Sequence, residues 1–252
     1  IGPQFHASEE PLKKTYTFGK WKHLMKESTE YGGRTLRQKP NYDITISMSR
    51  YLKEKAVEIN IQRGRMKQPL DKCNETEIRQ MRGVVGKLNW ASRQGMPQGA
   101  GDASILASTL PTPCVKDLSE ANAALRRLRQ NDAELVIKAI PLQMLVLLTF
   151  SDGSLANVAG GSAQIGHIIC AADRSILRGV EAFVSILLYK SHKNPRAAPS
   201  TLLNESTSLS ETLADAEWVA SWIGLCKNLH YDLRKRSTFC LLYTSPSPRD
   251  SM

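Results

Sequence analysis

The sequence predicts an α/β protein in which a mixed, largely helical region precedes a three-stranded meander packed against one long helix. Apolar runs near residues 145–150, 164–172 and 182–191 have the length and composition of strands. An amphipathic helical pattern follows from about residue 200 to 226. Ahead of the strands, two capping-box spacings mark the starts of helices.

The first half of the chain begins with short strand-like stretches separated by turn signals. The stretches are "YTFGKW", "YGGRTL" and "YDITISM", and the Gly32-Gly33 pair marks a tight connection between strands. "SRYLKEKAVEI" then has the pattern of a short helix, and "RGRMKQPLDKCN" that of a polar, basic loop.

Two longer helices are expected between residues 74 and 130. Asn74 is a candidate N-cap with Glu77 three residues later, and Asp117 stands in the same relation to Glu120. The apolar residues that share one face of the first of these helices are Ile78, Met81, Val84, Val85 and Leu88. A boundary between domains is expected near residue 140, where "IPLQ" leads into the first long strand.

Asp152 comes directly after the apolar run 145–150 and is expected where that strand ends. Two interpretations stay open for its carboxylate. Asp-Gly is a strong signal for a hairpin turn, so Asp152 can be a turn residue. A carboxylate at the end of a buried strand can equally be the first ligand of a metal site.

The long helix bears on this choice. At 100° per residue from Glu205, its apolar residues fall between about 0° and 80°. These residues are Leu209, Leu213, Ala216, Ala220 and Ile223. Glu205 is therefore expected on the buried face, and Glu211 and Asp215 are expected to face solvent. A buried carboxylate needs a cation, a helix N-terminus or a metal. A divalent metal shared with Asp152 is one explanation.

Composition narrows the classes of function. Residues 1–100 hold 19 Lys and Arg against 10 Asp and Glu, whereas residues 101–252 hold 15 against 14. A basic half is typical of binding to a polyanion, although a solvated basic surface explains it equally well. No apolar run approaches the length of a membrane span. The five scattered cysteines have no metal-ligand spacing and predict reduced thiols in an intracellular protein.

Several segments, taken in order, carry a family resemblance. They are "TFSDGSLAN", "GGSAQIGHI", "LLYKSHKNPR" and "STLLNESTSLSETLADAEWVASWI", preceded by "EIRQMRGVVGKLNWASRQ" and "DLSEANAALRRLR". Together they resemble the Pol polyprotein of copia-type retrotransposons, over about residues 15 to 238. The resemblance implies the end of a reverse transcriptase region at 1–70, a helical connection at 71–140 and a truncated ribonuclease H-like domain at 141–239. The remaining "CLLYTSPSPRDSM" looks like a translated sequencing adapter, so residues 240–252 are excluded from the predicted fold.

The resemblance also implies a site and its chemistry. Asp152 matches the first catalytic aspartate of the ribonuclease H domain, and Glu205 matches its catalytic glutamate. In the complete domain such carboxylates hold two Mg²⁺ ions that hydrolyse the RNA strand of an RNA–DNA hybrid. A basic cluster before the long helix is expected either to contact phosphates of the hybrid or to be a solvated loop. This cluster consists of Lys190, His192, Lys193 and Arg196.

Some positions depart from the family pattern. Leu155 stands where an aromatic residue is usual, Asn204 where a small one is usual, and Met96-Pro97-Gln98 replaces Arg-Pro-Asp. Two further aspartates that the family needs after the long helix are expected to lie beyond a truncation, so the fragment is predicted to be inactive as a nuclease. The implied partners are an RNA–DNA hybrid and the rest of the polyprotein, with no membrane and no small-molecule cofactor. The alternatives are a non-catalytic connection module that only grips the hybrid, and a decayed element copy without activity.

Overall fold

The computed structural model describes residues 3–17, 19, 22–131, 133–158, 162–195, 200–225 and 237–241. The helices are α1 (Pro3–Thr15), α2 (Ser49–Lys55), α3 (Glu75–Gln94), α4 (Ala100–Thr109), α5 (Val115–Gln130) and α6 (Thr201–Leu225). The strands are β1 (Thr29–Tyr31), β2 (Arg34–Gln38), β3 (Ile44–Ser47), β4 (Leu135–Ile137), β5 (Leu145–Val158), β6 (Ser162–Asp173), β7 (Val184–Lys193) and β8 (Ser237–Leu241). They form two four-stranded sheets, in the orders β1-β2-β3-β4 and β7-β6-β5-β8. The predicted α/β class is confirmed.

The first sheet starts with a hairpin whose turn is Gly32-Gly33, as the sequence predicts. Both glycines have positive φ, 59° and 81°. Two-residue turns with positive φ at both central positions match the twist of the antiparallel strands that they connect. Gly33 is also required by space, because a Cβ there would lie 2.9 Å from Cδ2 of Tyr51. The turn is thereby packed directly against α2.

The predicted capping box at the start of α3 is present. The side chain of Asn74 accepts a hydrogen bond from the Glu77 amide, and the Glu77 carboxylate accepts one from the Asn74 amide, both at 2.9 Å. The second helix, α5, begins two residues earlier than predicted. Cys114 is its N-cap, and its amide donates to the Asp117 carboxylate at 2.7 Å. Asp117 therefore closes a capping box instead of opening one.

A single hydrophobic core joins the segments interpreted as 1–70 and 71–140. Met48 and Leu52 of the first segment are fully buried against Met81, Leu88 and other residues of the second. The strands agree with this, because β4 pairs with β3 in the first sheet. α2 to α5 therefore pack around shared apolar side chains, and β4 joins the second segment to the first sheet.

The predicted three-stranded meander is confirmed, and a fourth strand extends it. β5 pairs antiparallel with β6, and β6 pairs antiparallel with β7. β8 lies parallel to β5, opposite residues 147–151. This strand includes Cys240 and Leu241, which the sequence interpretation assigned to the adapter segment. The sheet on the other side of residue 140 is thus built from β5 to β8.

β5 does not end near Asp152, so that sequence prediction is wrong. Asp152, Gly153 and Ser154 pair in register with Gly166, Ile165 and Gln164 of β6, and an irregularity follows before Val158. The Asp-Gly pair stays extended because β6 satisfies its backbone hydrogen bonds. The hairpin interpretation of Asp152 is therefore also wrong.

The buried face of α6 overlaps the predicted one but extends beyond it on one side. Ala216 and Ala220 are buried as predicted, together with three polar residues outside the predicted stripe, Asn204, Ser208 and Thr212. The Ser208 hydroxyl donates toward the carbonyl oxygens of Asp152 and Gly166, at 2.9 and 3.2 Å. Apolar periodicity does not reveal this part of the face, because its side chains are polar and are buried with hydrogen-bond partners.

Candidate functional site

Asp152 points away from α6. A Cβ built on Gly153 would lie 2.7 Å from Nδ2 of Asn204, so position 153 faces α6. Successive strand residues point to opposite faces, and Asp152 therefore faces the other side of the sheet. There it lines a cleft of about 260 Å³ together with Pro97 and Ala100 at the start of α4. Its Oδ1 accepts a hydrogen bond from the Gly153 amide at 2.9 Å.

Glu205 lies on α6, which packs against the opposite face of the sheet. The residue is half-buried. The structure thus places Asp152 and Glu205 on opposite sides of the sheet and does not bring them together. Within the described residues, no group of three or more His, Cys, Asp or Glu side chains is arranged to hold a metal. The two carboxylates do not fit a shared Mg²⁺ ion.

Asn204, the neighbour of Glu205 in α6, packs directly against β5 and β6. It is fully buried, accepts a hydrogen bond from Nδ2 of Asn194 at 2.7 Å, and donates to the Gln164 carbonyl at 3.3 Å. The resemblance implies a smaller residue at this position. The larger side chain ties the start of α6 to β6 and to the loop after β7.

α6 directs two carboxylates at the sheet, Glu211 and Asp215, both of which the sequence analysis placed in solvent. Oδ2 of Asp215 lies 2.7 Å from Nε2 of His167 on β6 and 2.6 Å from Nζ of Lys190 on β7. His167 is 4% exposed, as expected for a packed strand histidine. Burial lowers the pKa of His167, whereas Asp215 opposes that shift. The sequence carries a signal for this orientation, because Asp215 falls on the same side of α6 as the polar residue Ser208.

Two of the four residues of the predicted basic cluster are engaged by α6. Lys190 is paired with Asp215, and Nε2 of His192 lies 3.0 Å from Oε2 of Glu211. Lys193 is exposed at the end of β7. Arg196 lies outside the described residues. The cluster is thus partly neutralised, which weakens the expectation that it binds phosphates by itself.

A second basic surface, which the sequence analysis did not single out, lies on α3. Seven exposed residues fall within about 100° of one another around this helix, and one of them is Glu75 in the first turn. The α3 face is the part of this surface beyond the first turn and consists of Arg79, Arg82, Gly83, Gly86, Trp90 and Arg93. The only acidic residues of the helix, Glu75 and Glu77, belong to its first turn. The sequence carries a signal for this surface. Arginines and glycines recur at spacings of three and four residues on the side of α3 that is opposite the predicted apolar face.

The arginines of the α3 face are available to a ligand. Within the described part of the chain, Arg79, Arg82 and Arg93 make no ion pair or hydrogen bond. A Cβ on Gly83 or Gly86 would meet nothing within 4 Å, so these glycines form an open floor between the charges. A flat, positively charged surface of this kind allows close approach of an anionic backbone.

α3 borders the edge strand β7. A cleft of about 270 Å³ is lined by Asn89 and Arg93 of α3 and by Lys190 and His192 of β7. The contact between the two elements is direct, because the Tyr189 hydroxyl donates to the Ser92 carbonyl. Gln164 Nε2 adds a hydrogen bond to Ser104 Oγ of α4 at 2.9 Å. α3 and α4 therefore cover the sheet face opposite α6.

Known proteins do not identify this arrangement. No protein-family model, no curated protein and no solved structure matches the chain. Among the described residues, no helix combines the length and apolar character needed to cross a bilayer. Inferences about function therefore rest on the geometry given above and on the sequence resemblance.

Proposed function

We propose that this chain is a nucleic-acid-binding part of a retrotransposon polyprotein, in which the α3 face holds the phosphate backbone of an RNA–DNA hybrid without hydrolysing it. The observation that carries the proposal is the set of unpaired Arg79, Arg82 and Arg93 around the open floor of Gly83 and Gly86. Arginine binds phosphate bidentately, and glycine lets the backbone come close to the helix.

The distribution of charge supports the same proposal. The excess of nine positive charges in residues 1–100, from 19 basic and 10 acidic residues, lies in the half that contains α3. Contacts with phosphates dominate the affinity of such surfaces and make it depend steeply on salt. The exposed Trp90 on the same face adds a ring that can contact a sugar or a base.

Hydrolysis by a ribonuclease H-like domain is the second candidate. The meander β5-β6-β7 with α6 on one face supports the fold that the resemblance implies. The placement of Asp152 and Glu205 on opposite faces argues against a metal centre built from these two carboxylates. The binding proposal is therefore preferred over the catalytic one.

The test is a titration of fluorescently labelled RNA–DNA hybrid at several salt concentrations. We expect Arg79→Ala/Arg82→Ala/Arg93→Ala to weaken binding and to lower the slope of log K against log salt by roughly one for each phosphate that is no longer neutralised. The matched control, Lys14→Ala/Lys22→Ala/Lys26→Ala, removes three exposed charges away from α3. Equal weakening in both triple variants would show that only net charge matters and would contradict the proposal.

A further inference from the structure

A cleft of about 720 Å³ adjoins the α3 face. The glycine turn of the β1–β2 hairpin, one side of α2 and Trp90 of α3 form its walls. Trp90 belongs to both surfaces, and its Nε1 donates to the Gly32 carbonyl at 3.1 Å. A nucleic-acid strand held on the α3 face would therefore have its next unit at the mouth of this cleft.

The charges of the cleft do not suit a phosphate. Arg50 is already held by two carboxylates, Glu54 at 2.7 Å and Glu30 at 3.3 Å. Lys55 balances the second carboxylate, so that two acidic and two basic residues line the walls. Both carboxylates are 49% exposed and keep lone pairs for a further donor. The cleft is thus neutral overall and rich in hydrogen-bond acceptors.

Aromatic groups complete the lining. Tyr51 is half-buried beside the hairpin turn, and Trp90 is 44% exposed. Burial raises the pKa of Tyr51, so its hydroxyl stays protonated and can donate a hydrogen bond. Rings combined with carboxylate acceptors suit an uncharged sugar and base, because the rings contact apolar faces while the acceptors take hydroxyl protons.

We propose that this cleft holds a ribonucleoside unit of the RNA strand, with a carboxylate of the Glu30 and Glu54 pair accepting the one hydrogen bond that the ribose 2′-hydroxyl donates. The inference deepens the proposed function and rests on it. The 2′-hydroxyl is the group that distinguishes RNA from DNA at any one position. The α3 face would supply affinity for phosphates, and the cleft would supply preference for RNA.

The experiment compares an RNA–DNA hybrid with a DNA duplex of the same sequence and length. Both ligands carry the same number of phosphates, so the ratio of their affinities cancels the general electrostatic effect of a charge change. We expect the chain to prefer the hybrid by about tenfold to a hundredfold, the size of one hydrogen bond to a charged group. In Glu30→Ala/Glu54→Ala the ratio should approach one, with the salt dependence retained.

The matched control is Glu10→Ala/Glu120→Ala, which removes two exposed carboxylates far from the cleft along the chain. It should keep the preference of the unchanged protein. A ratio that is the same in both double variants would overturn the cleft assignment and leave binding by the α3 face intact. Absence of salt-dependent binding to either ligand would overturn the proposed function, and the cleft assignment with it.

Discussion

At the scale of single residues, the contact between Gly153 and Asn204 sets how closely α6 approaches β5. A Cβ at position 153 would lie 2.7 Å from Nδ2 of Asn204 and 3.2 Å from its backbone carbonyl carbon. The second atom belongs to the helix backbone, so a rotation of the Asn204 side chain cannot relieve the clash. Gly153 is therefore required for space, in an extended conformation that any residue can adopt.

Gly153→Ala should consequently lower the free energy of unfolding by about 1–3 kcal/mol, the usual effect of overpacking. Urea denaturation measures this change. Gly86→Ala is the comparison, since its Cβ meets nothing within 4 Å and alanine favours a helix over glycine by about 1 kcal/mol. Stabilisation by both substitutions would mean that α6 does not pack on Gly153 as described.

Residue-scale patterns predicted some positions well and misplaced others. The capping box of Asn74 and the turn at Gly32-Gly33 depend only on neighbours in sequence, and the structure confirms both. The orientation of Asp152 depends on which face of β5 meets α6, and Gly153 decides this through a contact 51 residues away. No local pattern contains that information.

At the scale of elements, His167, Lys190 and Asp215 form a polar clasp that holds α6 against β6 and β7. His167 is opposite Ser151 of β5 and Lys190 of β7, and it faces Asp215 and, more distantly, Glu211 of α6. The helix therefore docks through hydrogen bonds and ion pairs as well as through Ala216, Val219 and Ala220. Apolar periodicity correctly predicted that α6 exists and spans about residues 200 to 226. The buried face that it predicted did not include this row of polar residues.

The clasp predicts a pH dependence. Burial lowers the pKa of His167 from its ordinary 6.5, so the unfolded chain binds a proton before the folded one does. Stability should therefore fall as the pH is lowered below 6.5, by at most about 1.4 kcal/mol per pH unit for this one group. His167→Gln keeps a hydrogen-bond donor without titrating and should flatten the dependence in urea denaturation. His23→Gln, on an exposed loop, should leave the pH dependence of stability unchanged. A flatter pH dependence in His23→Gln than in His167→Gln would contradict the role of His167 in the clasp.

At the scale of the whole molecule, the sheet β5–β8 lies between α6 on one face and the helices α3 and α4 on the other. This layering separates Asp152 from Glu205 and places Arg93 beside β7. The sequence predicted the meander and the helices but not how they stack, because stacking is set by contacts such as Tyr189 to Ser92. The sequence predicted that the first half of the chain is basic. The sharing of one exposed face by the α3 arginines follows from the orientation of that helix.

The same layering predicts that residues 1–252 do not cleave the RNA strand of a hybrid when Mg²⁺ is added. Two carboxylates on opposite faces of a sheet cannot share an ion, and two-metal hydrolysis requires them to do so. Gel analysis of labelled RNA measures this directly, with Asp152→Asn expected to behave as the unchanged chain. Cleavage that depends on Mg²⁺ and is abolished in Asp152→Asn would refute the separation of the two carboxylates.

The parallel pairing of β8 with β5 has a consequence for the chain during its synthesis. Ser151 is the last residue of β5 that pairs with β8, and β8 begins only at Ser237, 86 residues later. At about 5–20 residues per second, this edge of β5 stays uncovered for roughly 4 to 17 seconds. An unpaired strand edge invites association with other chains, so this interval is the period in which a nascent chain is most exposed to aggregation and to capture by chaperones.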